Sequence, residues 1–314
     1  MASPIVAQVL PAIVALVMLG LGLDLTVGDF TRVLRDPRAV LVTLACQVVV
    51  LPALCFGLVL LLRLPPALAL GMMLLVASPG GAIASLFSHL AGGDVALNVS
   101  ATAINALLAL ITMPVVTAIS LAAFRPAGTA AVVVPPDRLL TLVAVVLLPV
   151  VLGMTVRWRR ASLAARLHRP VRVAAVVAVF LAIVAAVGQQ LDGFAQGLVG
   201  AGVAVTALSL LSLALGYGIP RLLRVGHRQA VASAMEVGIH NAVLAITVAV
   251  SVLDDPAAAV APAMYGALMF GPAGLLAWVL ARRGRRHDEP DHADHEWAEP
   301  GSPAPPGRRR ARPS

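Results

Sequence analysis

Lysine is absent from this 314-residue chain, and all 23 of its basic residues are arginine. Charge of either sign is scarce, 12% of residues against about 25% in an average soluble domain. With 60% hydrophobic residues and a mean hydropathy of +0.93, that shortage excludes a soluble globular domain, because surface-to-volume scaling caps the core such a domain can hide. It excludes a disordered chain on the same ground. Cysteine is confined to Cys46 and Cys55, in one apolar run. At ~1.5 Å per residue they lie ~13 Å apart along a helix, beyond disulfide reach. Aromatic residues make up only 4%. The arginines fall between apolar runs rather than on an aromatic-studded basic face, so the net charge of +8 does not describe a nucleic-acid surface.

What fills the chain is one apolar run after another. A membrane-spanning helix needs ~20 mostly apolar residues. Nine runs qualify, near 5–24, 38–62, 66–91, 94–124, 139–156, 170–188, 197–220, 228–253 and 257–281. They are continuously apolar, unlike the alternating strands of a membrane barrel. The expectation is an all-α polytopic membrane protein with a transporter domain over 1–281. The first run has no basic leader and continues into LGLGLDLT, so it reads as a span rather than a cleaved signal peptide. Residues 29–37, DFTRVLRDP, read as a short interfacial stretch. From 282 to 314 the composition turns to Pro, His, Asp, Glu and Arg, which predicts a disordered cytoplasmic tail. There His287, His292 and His295 form either a metal-binding cluster or part of a solvated polar segment.

Arginine placement sets the expected orientation. With the N-terminus outside, the inside connections hold Arg32, Arg35 and Arg38, then the six arginines from Arg157 to Arg172, then Arg221, Arg224 and Arg228, and finally Arg282, Arg283, Arg285 and Arg286. Only Arg63, Arg125 and Arg138 fall outside. The chain therefore reads as N-terminus out and C-terminus in.

Acids avoid the runs, with one exception. Glu236 lies ~8 residues into the eighth run, ~12 Å deep and near the midplane. An ionisable group there marks a functional site by default. Gly238, His240 and Asn241 follow in AMEVGIHNAVL, and Gly238 is expected to loosen the helix. The third run has a matching break at Ser78, Pro79, Gly80 and Gly81, where proline removes a donor and glycine permits unwinding. Two interrupted helices of opposite direction, in corresponding halves, point to an inverted-repeat secondary transporter. In the fourth run Asn98, Thr102 and Asn105 share a face, suited either to helix–helix hydrogen bonding or to holding a cation. Gln47 is the lone amide of the second run, close to Pro52.

The entry VMLGLGLDLTVGDF, the Gln47 and Pro52 helix, SPGGAIASLFSHLAGGDVALNVSAT and EVGIHNAVLA together resemble the sodium–bile acid symporter family, over about 1–281. The first helix here is similar to that family's second, giving nine helices. The resemblance implies core and panel domains, with two discontinuous helices crossing near the midplane. It also implies two sodium ions behind the crossing and an organic anion in the cavity before it. Carried over by position, the first sodium site would use Ala84, Ser85, Asn98, Thr102 and Glu236. The second would use Gln47, Glu236, His240 and backbone carbonyls near Val237 and Ile239. This chain departs from the pattern twice. Ala84-Ser85 stands where bacterial members have Ser-Asn, with Asn98 replacing a serine, so the oxygen inventory is nearly kept. His240 replaces a glutamine, and imidazole suits protons or softer metals better than sodium.

The function expected is secondary active transport of an organic anion across the plasma (inner) membrane by alternating access. Its coupling ion would be sodium, with part of the coupling carried by a proton on the Glu236 and His240 pair. The helix breaks, including Gly238 and Asn241, would face substrate. No cofactor and no nucleic acid is expected. An efflux carrier or exchanger for organic acids or oxyanions is the alternative. An arsenite carrier would rely on cysteine, and Cys46 and Cys55 stand away from both breaks. An intramembrane enzyme is opposed by the lack of HExxH and GxSxG motifs, and Ser78 and His89 stand on either side of a break. A channel is opposed by polar groups gathered at one depth rather than along a pore.

Overall fold

Proline opens several of the helices and polar side chains cap others. The computed structural model of the chain describes residues 4–24, 28, 37–81, 83–124, 136–189 and 191–287. Among these, all regular structure is helical apart from one isolated antiparallel bridge. The helices are α1 (Pro4–Asp24), α2 (Pro37–Leu61), α3 (Pro66–Ala77), α4 (Ala84–Leu90), α5 (Val95–Phe124) and α6 (Pro136–Arg159). They continue with α7 (Ala161–Gln189), α8 (Leu191–Leu222), α9 (His227–Gly238), α10 (Ala242–Val252), α11 (Val260–Leu268) and α12 (Phe270–His287). Pro37, Pro66 and Pro136 take the first helical position, where a missing N–H costs nothing. Asp94 Oδ1 accepts from the N–H groups of Ala96 and Leu97, each at 3.0 Å, and caps α5. Three turns after helices, following α2, α8 and α10, use non-glycine residues at positive φ: Arg63 at 50°, Arg224 at 58° and Asp254 at 56°.

Among the described residues, four stretches are long and apolar enough to cross a membrane: Pro37–Leu61, Val95–Phe124, Ala201–Leu222 and Pro256–Arg282. Pro11–Leu23, Pro66–Ala77 and Ala242–Val252 are shorter apolar helices. Large apolar side chains such as Leu61, Ile111 and Leu148 are exposed, on an exterior suited to lipid rather than water.

The third and eighth runs are each two helical segments, α3 with α4 and α9 with α10. The arginine-rich stretch 157–169, expected as a connection, is helical except at Arg160, and α7 starts at Ala161 rather than near 170. Alanine and arginine are strong helix formers, so these arginines ride on helix ends. The last helix likewise passes 282 and reaches His287. The Arg282 guanidinium stacks 3.8 Å over the Trp278 ring, and cations favour a helix C-terminus. Residues 288–314, with His292 and His295, and nearly all of 29–37 lie outside the described residues.

Two groupings position the site. α1 packs on α6 and α7. A Cβ at Gly153 would lie 2.7 Å from the Leu19 carbonyl and from the Gly22 backbone, so the α1 and α6 backbones touch directly. The second grouping centres on α3, α9, α10 and α11, with Met72, Leu74, Met235, Ile239 and Tyr265 fully buried. Inside α2, Cys46–Val50 is a π-helical turn in which the Leu51 N–H reaches the Cys46 carbonyl. Pro52, just beyond, removes a donor from the ladder. Wide turns of this kind gather at functional sites, and Gln47 sits on this one, buried.

Candidate functional site

α3 ends at Ala77 and α9 at Gly238, and the two unwound segments that follow meet. Gly80 and His240 form an antiparallel bridge. The Gly81 N–H donates to the Ile239 carbonyl at 2.7 Å, and the Asn241 N–H donates to the Pro79 carbonyl at 3.0 Å. Peptide groups released from two helices thus satisfy each other, which buried backbone requires. A Cβ at position 80 would fall on the Glu236 carboxyl group, so any side chain there displaces that carboxyl group.

Glu236 is fully buried. Thr102 Oγ1 lies 2.5 Å from its Oε2 and 2.9 Å from the Asn98 carbonyl, and the single hydroxyl proton serves one of them at a time. Asn105 and the Gly80 backbone lie beside the same carboxyl group. Oε1 has no partner. Asn98 Nδ2 donates to the Ala232 carbonyl at 3.0 Å, which fixes its amide and leaves Oδ1 buried without a donor. Two unsatisfied oxygens therefore sit where α5 packs on α9. Leaving such groups bare is costly, and oxygen acceptors without donors are what a hard cation takes.

The model of the sodium bile acid symporter family matches residues 11–197. The chain belongs to that family. It is similar to an uncharacterized sodium-dependent transporter, YocS, of Bacillus subtilis, at 27% identity over 239 residues covering 74% of this chain and 71% of that protein. It is similar to a probable sodium/metabolite cotransporter, BASS1, chloroplastic, of Arabidopsis thaliana, at 34% over 101 residues, 32% of this chain and 25% of that one. It also resembles sodium/bile acid cotransporter 4 of mouse, at 35% over 103 residues, 33% and 24% of the two chains. The matching stretch spans about a quarter of the plant and mouse proteins. The family and these relatives are transporters, so the chain is a membrane transporter and not an enzyme. The matched region holds the first break and the α5 stripe; Glu236 and His240 lie beyond it.

On the other side of the bridge, Gln47 Nε2 donates to the Ser78 carbonyl at 3.2 Å and lies 3.3 Å from His240 Nδ1. This joins α2 to both breaks. The Tyr265 ring packs on His240 with centroids 5.4 Å apart. Its hydroxyl donates to the Gly238 carbonyl at 2.9 Å and meets Ser212 Oγ at 3.2 Å. Sequence reasoning passed over Tyr265, since a lone aromatic in an apolar run resembles core. The available signal was rarity: it is one of two tyrosines, and a hydroxyl at that depth needs a partner.

The structure thus gathers Asn98, Thr102, Gly80 and Glu236 in one cluster, and Gln47, Ser78 and His240 in another. Ser78 Oγ donates back to the Leu75 carbonyl at 2.6 Å, and Pro79 and Gly81 carry the bridge. Ala84 is buried and Ser85 half-buried on α4, whereas Asn98, Thr102 and Glu236 are wholly buried. Val237 and Ile239 are buried, with the Ile239 carbonyl engaged by Gly81. Gly238 is the last residue of α9, and the chain leaves the helix at Ile239. A Cβ at Gly238 would strike the Leu213 side chain, which would have to move. Asn241 Oδ1 accepts from the Leu244 N–H at 3.1 Å and caps α10. Among the described residues, no group of three or more His, Cys, Asp or Glu side chains could hold a metal.

Proposed function

We propose that this family member is a secondary active transporter that uses a sodium gradient to move an organic anion across the plasma membrane by alternating access. The observation that carries this reading is the pair of unpartnered buried oxygens, Glu236 Oε1 and Asn98 Oδ1, held beside the paired helix breaks. Sodium bound there, with Thr102 and Ser85 contributing, neutralises Glu236 and removes the cost of an exposed intramembrane charge when the site opens to one side. The names of the relatives, sodium-dependent, sodium/metabolite and sodium/bile acid, support sodium and an organic substrate.

The same reading assigns nine spans with inverted repeats, N-terminus outside and C-terminus in the cytoplasm. The α1, α6 and α7 group is the panel, and the helices around the bridge are the core. The substrate lies before the breaks, near Ser78 to Gly81 and near Gly238 and Asn241, between core and panel. Proteoliposomes test it, with sodium and pH gradients imposed separately on a panel of radiolabelled organic acids. Glu236→Ala is expected to abolish sodium-driven uptake while the protein still elutes as a folded species in detergent. Unchanged sodium-driven uptake refutes the assignment. Uptake driven by a pH gradient alone, without sodium, replaces sodium with the proton as coupling ion.

A further inference from the structure

We infer that the junction of α6 and α7 is a binding surface for the headgroups of anionic phospholipids. This goes beyond the transport reading and does not depend on its coupling ion or substrate.

The junction is a single residue long. α6 ends at Arg159 and α7 starts at Ala161. Between them the Arg160 N–H donates to the Val156 carbonyl at 2.8 Å, and the Arg160 carbonyl accepts from the Ala164 N–H at 3.0 Å. Arg159, Arg160, Arg166 and Arg169 are exposed here and Arg157 is half-buried. No Asp or Glu occurs between Asp137 and Asp192. Among the described residues, none of these five arginines is paired with a carboxylate.

The start of α7 has two faces. Ala164 and Ala175 are buried, and His168 and Val171 are half-buried. These positions follow the i, i+4, i+7 spacing of a helix stripe packed on protein. At ~100° per residue, Arg166 and Arg169 both fall on the side opposite that stripe. The apolar run of α6 ends at Val156 and that of α7 begins at Val173, so the junction lies where a bilayer's headgroups begin. Trp158 is 77% exposed, with the Arg159 guanidinium 5.9 Å from its ring centroid. Tryptophan favours that level of a membrane.

Two simpler accounts leave part of this unexplained. A helix C-terminus attracts cations, which covers Arg157 and Arg159 in the last turn of α6. It does not cover Arg166 and Arg169, in the second and third turns of α7. Orientation in the membrane calls for positive charge in a connection, but not for its collection on one outward helix face. A lipid phosphate supplies what is missing. The planar donors of arginine match phosphate oxygens in pairs, and basic clusters beside a span attract anionic lipid.

Full-length protein in phosphatidylcholine bilayers tests this, with Trp278→Phe and Trp297→Phe so that Trp158 alone reports. Brominated phosphatidylglycerol is compared with brominated phosphatidylcholine as a quencher of Trp158 at equal mole fractions. The anionic lipid is expected to quench at about fivefold lower mole fraction, the effect of one arginine near an anionic surface. Replacing Arg159, Arg160, Arg166 and Arg169 with glutamine should abolish that preference. The same change at Arg282, Arg283, Arg285 and Arg286, with equal loss of charge, should leave it. Equal quenching by the two lipids, or equal loss in the two variants, overturns the inference. So does displacement of the anionic lipid by inorganic phosphate, which would make the junction a site for soluble anions. Where the fourfold variant does not fold, Arg166→Gln and Arg169→Gln decide singly: each should lower the preference, and no effect in either overturns the inference.

Discussion

Replacing Gly80 with alanine adds one methyl group to the site and changes no polar side chain. The new Cβ falls on the Glu236 carboxyl group. The backbone at position 80 has little room to retreat, because the hydrogen bonds on either side, Gly81 to Ile239 at 2.7 Å and Asn241 to Pro79 at 3.0 Å, hold it in the bridge. The carboxyl group must therefore rotate away, giving up its bond from Thr102. A hydrogen bond to a charged group contributes about 1.5–3 kcal/mol. At about 1.4 kcal/mol per factor of ten, the sodium concentration for half-maximal uptake should rise between about 10-fold and 100-fold. Gly81→Ala is the control, since its Cβ meets only the His240 carbonyl at 3.1 Å and the Ile239 side chain at 3.4 Å, and it should shift the sodium dependence far less. The assay is uptake into proteoliposomes across a sodium titration, alongside a thermal melt of the purified protein. A Gly80→Ala protein with wild-type sodium dependence and wild-type melting refutes the reasoning.

Thr102→Val removes the hydroxyl at Glu236 Oε2 and should weaken sodium about tenfold, while Thr102→Ser restores most of the loss; equal effects in the same titration would place Thr102 outside the cation site. Tyr265→Phe keeps the ring on His240 but frees the Gly238 carbonyl and Ser212, and should cost about 1 kcal/mol; combined with Ser212→Ala in a thermal melt, the two losses should be less than additive. Gly153→Ala places a methyl group between touching backbones and should destabilise the α1 and α6 pair by about 1–3 kcal/mol, read as a lower melting temperature in detergent.

Glu236 was legible because an acid in an apolar run contradicts its surroundings, and both breaks were legible because proline, glycine and polar residues interrupt continuous hydrophobic patterns. The same logic found Asn98, Thr102 and Gln47 by their contrast with leucine and valine. It erred or fell short where contrast misleads. Gly238 ends α9 at the break, as its sequence suggests, but it also admits Leu213 from α8, a tertiary fact with no local mark. The arginines of 157–169 look like a loop, yet arginine prolongs a helix beyond the apolar core. Tyr265 and the π-helical turn at Gln47 were hidden for a related reason. The first is polar at a single atom, and the second is a change of backbone period that side-chain composition does not record.

The antiparallel bridge has a mechanical consequence. Two interrupted helices would each be a weak point in a membrane protein, free to bend about its own gap. Joined by two backbone hydrogen bonds, they bend only together, and the gaps act as one pivot rather than two. The Glu236 carboxyl group lies against Gly80 within that bridge. Under the transport reading proposed above, a cation held there would keep its ligands while the ends of α3, α4, α9 and α10 moved the most.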